Sequence, residues 1–312
     1  MKVNDFLCLM IVLFFTSGCS SNKQSEDSFP CIDIRKSYPE KEIEWTDIAD
    51  ITYLHTNTED DDYLYKGNIR YVTENTIVIP DDISGSILFF TKDGNPKSRF
   101  NHYGAGPEEY PSKGRDISSI VYDETKDEVF IVYFNNIRVY SSTGEFKRKI
   151  ILPQGVRPHI IDYDEQSLFV YDNQRQFKKM LREYEPQSID SSFFLISKKD
   201  GSVLDYVIIP HNDKIDLTDR GDGRRVLSNF YSNRKCAAGL LLCNPETDTV
   251  FLFKSDKSLI PVFCKKPLVT TDEYPKVILN SFSDVGRYQF ITIEKLFDFY
   301  DYEVRYNVYV LD

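Results

Sequence analysis

Methionine and tryptophan are scarce, with three Met and one Trp in 312 residues, against 22 Phe and 21 Tyr. That balance suits half-buried pleated surfaces better than helical bundles. Basic charge is also short: 38 Lys and Arg face 49 Asp and Glu, a net charge of −11. Nucleic acid is excluded as a partner, because its phosphates reward basic patches. The four histidines, His55, His102, His159 and His211, lie far apart, with no H-x-H or H-E-x-x-H spacing. Zinc sites cluster their Cys and His ligands, so no metal is expected. A G-x-S-x-G elbow and a phosphate-cradling P-loop are both missing, and no catalytic set or cofactor is expected.

No apolar run is long enough to span a bilayer as a helix. The ten residues Phe6 to Phe15 (FLCLMIVLFF) instead have the length of a signal-peptide core, with Lys2 ahead of them. Thr16-Ser17-Gly18 then leads into Cys19. This resembles a bacterial lipobox, with Thr16 where a Leu is usual, and it implies that Cys19 is lipidated and becomes the mature N-terminus. Residues 1–18 are thus expected to be a lipoprotein signal peptide. Residues 19–30, which include SSNKQSEDS, form a polar tether. Several acyl chains on Cys19 would hold the protein to a membrane, each buried methylene adding about 0.8 kcal/mol. Cys31, Cys236, Cys243 and Cys264 remain, in a compartment that permits disulfides. Cys243 and Cys264 fall on neighbouring predicted β-runs. They are read either as a bridge or as small buried hydrophobes.

Residues 31–312 repeat one pattern: an apolar β-run, a short polar turn, another β-run. The runs starting at Ile87, Ile137, Phe193, Val250 and Asn307 recur every 50 to 57 residues. Such a period marks a stacked-repeat or propeller architecture. The second repeat is the clearest, with strands over Asp116–Tyr122, Val129–Tyr133, Ile137–Tyr140 and Phe146–Leu152. Four short antiparallel strands joined by tight turns make a blade, and a lone blade cannot bury both faces. Asp93-Gly94 and Asp200-Gly201 punctuate the outer hairpins, because Asp-Gly tolerates positive φ. The fourth repeat is predicted to open with a strand over Val226–Tyr231, and Gln174–Ile189 is an insertion in the third. The prediction is an all-β propeller of four-stranded blades with about five repeats visible, the fifth breaking off at Asp312.

Gly104-Ala105-Gly106-Pro107-Glu108-Glu109-Tyr110 follows the first Asp-Gly hairpin. It resembles the G-x-G-P-x-E-Y signature of six-bladed β-propeller lipoproteins of Bacteroidetes, a family of largely uncharacterised function. The lipobox, the segment Trp45 to Leu54 with its acidic sequel, and the S-T-G and K-D-G turns agree with it. The resemblance implies NHL-like blades and an accessory envelope role, since members are often encoded beside outer-membrane nutrient-uptake systems. It brings no catalytic residues. Gly104, Gly106, Pro107, Glu109 and Tyr110 match its motif. The visible repeats fall short of six, so residues 31–55 are expected to complete one sheet in a shared N- and C-terminal blade.

The motif has two readings. In the structural one its glycines permit positive φ and Tyr110 packs between blades; in the other, Glu108, Glu109 and Tyr110 line an axial mouth. Asp60-Asp61-Asp62 reads as a solvated acidic loop or a Ca²⁺ site. Arg220-Gly221-Asp222 is a chance tripeptide in a polar loop, or an adhesion signal. Arg224-Arg225 is a weak anion-site candidate. The functional expectation is a lipid-anchored cell-envelope binding or scaffold module, at the outer membrane, for a glycan, peptide or partner protein. The alternatives are an envelope hydrolase or lyase with an axial carboxylate or metal site, and a shortened paralogue without independent activity.

Overall fold

The computed structural model describes residues 29–311, except 41, 58–60, 112, 115–116, 153–155, 157, 173–191, 211, 213, 222, 226–232, 286–287 and 297–305. Cys19, the signal peptide, the predicted strand Val226–Tyr231, the insertion Gln174–Ile189, Asp60, His211, Asp222 and Asp312 therefore lie outside the described residues.

Among the described residues the strands form five sheets in sequence order, antiparallel except where β1 (Cys31–Asp33) joins the fourth. The first contains β2 (Tyr71–Val72), β3 (Thr76–Pro80), β4 (Ile87–Thr91) and β5 (Pro96–Phe100); β1 precedes it and belongs elsewhere. The second contains β6 (Ile120–Asp123), β7 (Glu128–Tyr133), β8 (Asn136–Tyr140) and β9 (Phe146–Ile151). The third contains β10 (Pro158–Asp162), β11 (Ser167–Asp172), β12 (Phe193–Ser197) and β13 (Val203–Val207). The fourth contains β14 (Arg234–Cys236), β15 (Gly239–Asn244), β16 (Thr249–Phe253) and β17 (Leu259–Lys266). The fifth has β18 (Val277–Val285), β19 (Tyr288–Lys295) and β20 (Tyr306–Leu311). Its first two strands span nine and eight residues. Polar Ser281, Ser283 and Asp284 continue the pairing beyond a bulge between Leu279 and Ser281.

Side-chain alternation turns these sheets into a stack. Val121, Phe130, Val132 and Val139 of the second sheet pack with Ile160, Leu168, Val170 and Phe194 of the third. The residues between them, Ile120, Tyr122, Val129 and Tyr140, pack with Val78, Phe89 and Phe100 of the first. The third sheet likewise divides itself between the second and fourth, and the fourth between the third and fifth. Each blade is thus apolar on both faces. This is why its runs read as nearly continuous hydrophobics rather than as a clean period of two.

The turns repeat as faithfully as the strands. Gly94, Gly144 and Gly201 carry φ of 82°, 93° and 78° in the outer hairpins of the first three blades. Each hairpin also carries a register shift in its outer pair. A left-handed residue beside a bulge is the three-residue hairpin solution. In the fourth blade Lys257 holds that place with φ 64°. Every one of these turns lies under the outer edge of what precedes it. A Cβ on Gly144 would meet Phe100 of β5, and one on Gly201 would collide with Ile150 of β9. Lys257 reaches Asp205 of β13 at 2.9 Å.

For Gly94 the preceding edge is the N-terminal segment. Its Cβ position is taken by the carbonyl of His55, and Asn57 N–H donates to the Gly94 carbonyl at 2.9 Å. Residues around 54–57 therefore stand where the outer strand of a preceding blade stands elsewhere. Farther back, β1 (Cys31–Asp33) pairs in parallel with β17 of the fourth blade, and Tyr38 meets Tyr309 of β20 edge-on at 5.7 Å. Tyr63 and Tyr65 then cover Phe90 on the free face of the first blade. The segment does complete a sheet, but the fourth one and not a blade shared with the C-terminal strand. It crosses from the fourth sheet past the fifth to the first.

The parallel register places Cys31 opposite Cys264, and these two form the disulfide. The Cys243–Cys264 alternative fails because β16 lies between β15 and β17, so the two residues are two strands apart. Cys243 is a small buried side chain whose thiol donates to the Leu279 carbonyl at 3.4 Å. Cys236 is a half-buried free thiol.

Candidate functional site between the first two blades

The motif residues Gly104 to Tyr110 form a clasp in the connection from β5 to β6. Tyr110 is fully buried among residues of both blades. Its hydroxyl donates to the Gly85 carbonyl at 2.7 Å and accepts from His102 N–H at 3.1 Å. Burial pushes this phenol well above the ordinary tyrosine range. Tyr140 from β8 stands edge-on to Tyr110 at 5.9 Å and donates to the Glu108 carbonyl at 2.6 Å. His102 stacks on Tyr140, with ring centres 5.2 Å apart, and its Nε2 lies 2.7 Å from the Gly144 carbonyl.

Neither Gly104 nor Gly106 has positive φ, contrary to the expectation for this motif. Their small size serves Glu109. Its carboxylate folds back and accepts from Gly106 N–H at 2.7 Å. A Cβ on Gly104 would collide with that carboxylate, and one on Gly106 would approach it to 3.0 Å. Pro107 is exposed in the turn between Gly106 and Glu109, and Glu108 is exposed beside it.

A second set of polar groups ties neighbouring blades. Lys198, 4% exposed, pairs with Asp123 at 2.7 Å and Asp162 at 2.8 Å. Burial opposes ionisation of Asp123, yet hydrogen bonds from Lys198 and Thr125 hold its pKa below the ordinary value. Glu124 receives Thr73, Asn75, Thr76 and Lys97 of the first blade. Burial works against its charge too, but the bonds from Thr76, Thr73 and Lys97 bring it down to about 2. In the fourth blade, Asp248 is buried against Lys265 at 3.1 Å and accepts from Leu279 and Val269 N–H. Desolvation outweighs these partners and pushes Asp248 up to about 6.

The described histidines do not converge. His55 lies exposed against the Gly94 turn, His102 is in the clasp, and His159 is on β10. Burial, with Arg70 nearby, pushes His159 down to about 4. Among the described residues no three His, Cys, Asp or Glu side chains gather as metal ligands. Asp62 pairs with Arg99 at 2.7 Å. Arg225 is taken by Asp216 at 2.7 Å, and Arg220 N–H closes its loop on the Arg224 carbonyl.

Sequence reading missed a polar group on the fifth blade. Lys276 is buried over the Tyr274 ring at 3.8 Å, and desolvation lowers its pKa. Burial raises that of Glu294. Glu294 within the strand Tyr288–Lys295 is the signal that was there to be read. Two exposed aromatics also stand out. Phe134, 58% exposed, sits with φ 49° in the turn between β7 and β8, edge-on to Tyr133 at 4.6 Å. Tyr103, 47% exposed, lies over the Gly85 turn with Lys113 above its ring at 5.2 Å.

Five sheets sharing alternate faces, bulged outer hairpins and a motif clasp between blades define a β-propeller of four-stranded blades. The chain belongs to the DUF5128 family, described as 6-bladed beta-propeller, whose pattern matches residues 20–233. The chain is similar to the crystal structure of a protein from Bacteroides fragilis assigned as exported. The two share 15% identity over 90% of this chain and 80% of that one, with a TM-score of 0.54. A DUF4221 member from Bacteroides vulgatus shares 11% identity over 80% and 79% of the chains, with a TM-score of 0.47. Streptogramin B lyase, at 11% identity over 78% and 67% and a TM-score of 0.39, overlaps too loosely to bear on chemistry. No curated protein matches the chain.

Proposed function

We propose that this protein is a lipid-anchored propeller of the bacterial cell envelope that binds a glycan, peptide or partner protein as an accessory to nutrient uptake. Phe134 carries the reading. Holding an aromatic residue at positive φ costs about 1–3 kcal/mol, and leaving its ring in water forgoes the gain of burial. Both penalties are met at one turn, and such combinations concentrate at sites of recognition. Tyr103, packed on the Gly85 turn, offers a second exposed ring. Flat aromatic faces suit sugar rings and apolar peptide side chains alike. Membrane attachment through Cys19, at the outer membrane, rests on the lipobox resemblance, and the exported Bacteroides fragilis relative agrees with an envelope address.

The test is capture from native envelope extract by the full chain, set against a Phe134→Ala/Tyr103→Ala variant. A specific glycan or protein retained by the wild type and lost by the variant supports the reading. Equal capture by both, or none by either, refutes it.

A further inference from the structure

Arg138 is the buried charge that the clasp leaves unanswered. It sits in the middle of β8, 8% exposed, and its Nε and Nη1 are buried without a hydrogen-bond partner among the described residues. An uncompensated buried guanidinium is strongly unfavourable, and a native group left so calls for a counter-ion. Arg138 and Tyr140 are two residues apart on one strand, so they point to the same side, toward the first blade. The Tyr140 hydroxyl senses Arg138 together with Tyr110, Glu108 and Glu109. Arg138 therefore faces the wedge that the motif closes.

A second observation is independent of the first. Arg138 pairs across the strands with Lys149 of β9, so two cations stand side by side on one face. Like charges directly opposite destabilise a sheet. The nearby motif carboxylates do not relieve them: Glu109 is committed to Gly106 N–H and Glu108 is turned to solvent.

We infer that Arg138 and Lys149 form an oxyanion site at the junction of the first two blades and that its ligand is a carboxylate. A carboxylate matches the planar fork of a guanidinium. One negative charge suffices, because Arg138 is buried whereas Lys149 is exposed to water. The inference does not depend on the binding role above, since a bound carboxylate can be part of the fold.

The test uses the full chain in low-chloride buffer at constant ionic strength, with acetate as the probe and sulfate as the rival. Acetate is expected to raise the unfolding midpoint with the logarithm of its concentration above Kd, shifting the folding equilibrium about 100-fold at one hundred times Kd. Broadening of ¹³C-acetate NMR lines reports binding directly. Arg138→Met is expected to be more stable than wild type without acetate and to lose the acetate response. Lys149→Gln, at an exposed position that keeps the fold safe, is expected to weaken acetate several-fold. An equal acetate response in wild type and Arg138→Met overturns the site, as does unchanged acetate affinity in Lys149→Gln. Sulfate outcompeting acetate overturns the carboxylate assignment.

Discussion

Replacing Cys31 and Cys264 together by Ser tests the N-terminal segment as a structural strap. The disulfide joins residues separated by 233 positions, so it constrains nearly the whole denatured chain. The loop-entropy relation gives about 5 kcal/mol for a loop of that length, and native disulfides typically contribute about 2–5 kcal/mol. What remains to hold β1 is three parallel pairs and the burial of Ile32, the latter about 1.5–3 kcal/mol. A loss of about 3 kcal/mol or more is therefore expected. At about 2.1 cal/mol/K of unfolding entropy per residue, 1 kcal/mol shifts a chain of this size by roughly 1.6 °C, and the melting temperature should fall by about 5 °C or more. The assay is calorimetry of both proteins with and without reductant. Reductant should lower the wild-type midpoint to that of the variant and leave the variant unchanged. A fall of less than about 2 °C would refute the reasoning, because it would mean that the strap is not part of the cooperative unit.

Further outcomes follow from single side chains. Gly201→Ala should lose at least about 2 kcal/mol by chemical denaturation, since its Cβ meets both a left-handed backbone and Ile150. Lys257→Gly, at the equivalent turn of the fourth blade, should gain up to about 1 kcal/mol, because the exposed Asp205 pair it gives up contributes little. Tyr110→Phe removes a buried hydroxyl that bonds Gly85 and His102 and should cost about 1–2 kcal/mol, read as a shifted urea midpoint. Glu124 is held below its unfolded pKa. Its contribution is therefore full above about pH 5 and fades as pH falls toward about 2. Urea midpoints across that window should fall less steeply for Glu124→Gln than for wild type, and parallel slopes would remove Glu124 from the account.

The runs at Ile87, Ile137, Phe193 and Val250 were legible as third strands because central strands covered on both faces must be apolar throughout. Asp93-Gly94 and Asp200-Gly201 announced their hairpins through backbone chemistry that acts locally. Lys257 was not legible as a left-handed residue, since only the repeated geometry of the other blades assigns it that place. The motif was visible at Gly104 to Tyr110, but the reason for its glycines was not. Local chemistry suggested positive φ, whereas a folded-back Glu109 carboxylate needs the space.

Sequence alone determined the repeating strand–turn unit, because alternation, turn residues and spacing are properties of consecutive residues. Tertiary structure decided which cysteine meets Cys264, since a parallel pairing between β1 and β17 is a contact across the whole chain. It decided that the N-terminal segment serves three sheets and not one. It also decided that Arg138 is buried beside Lys149, because burial of a charge depends on what the neighbouring blade covers, and no run of consecutive residues encodes that.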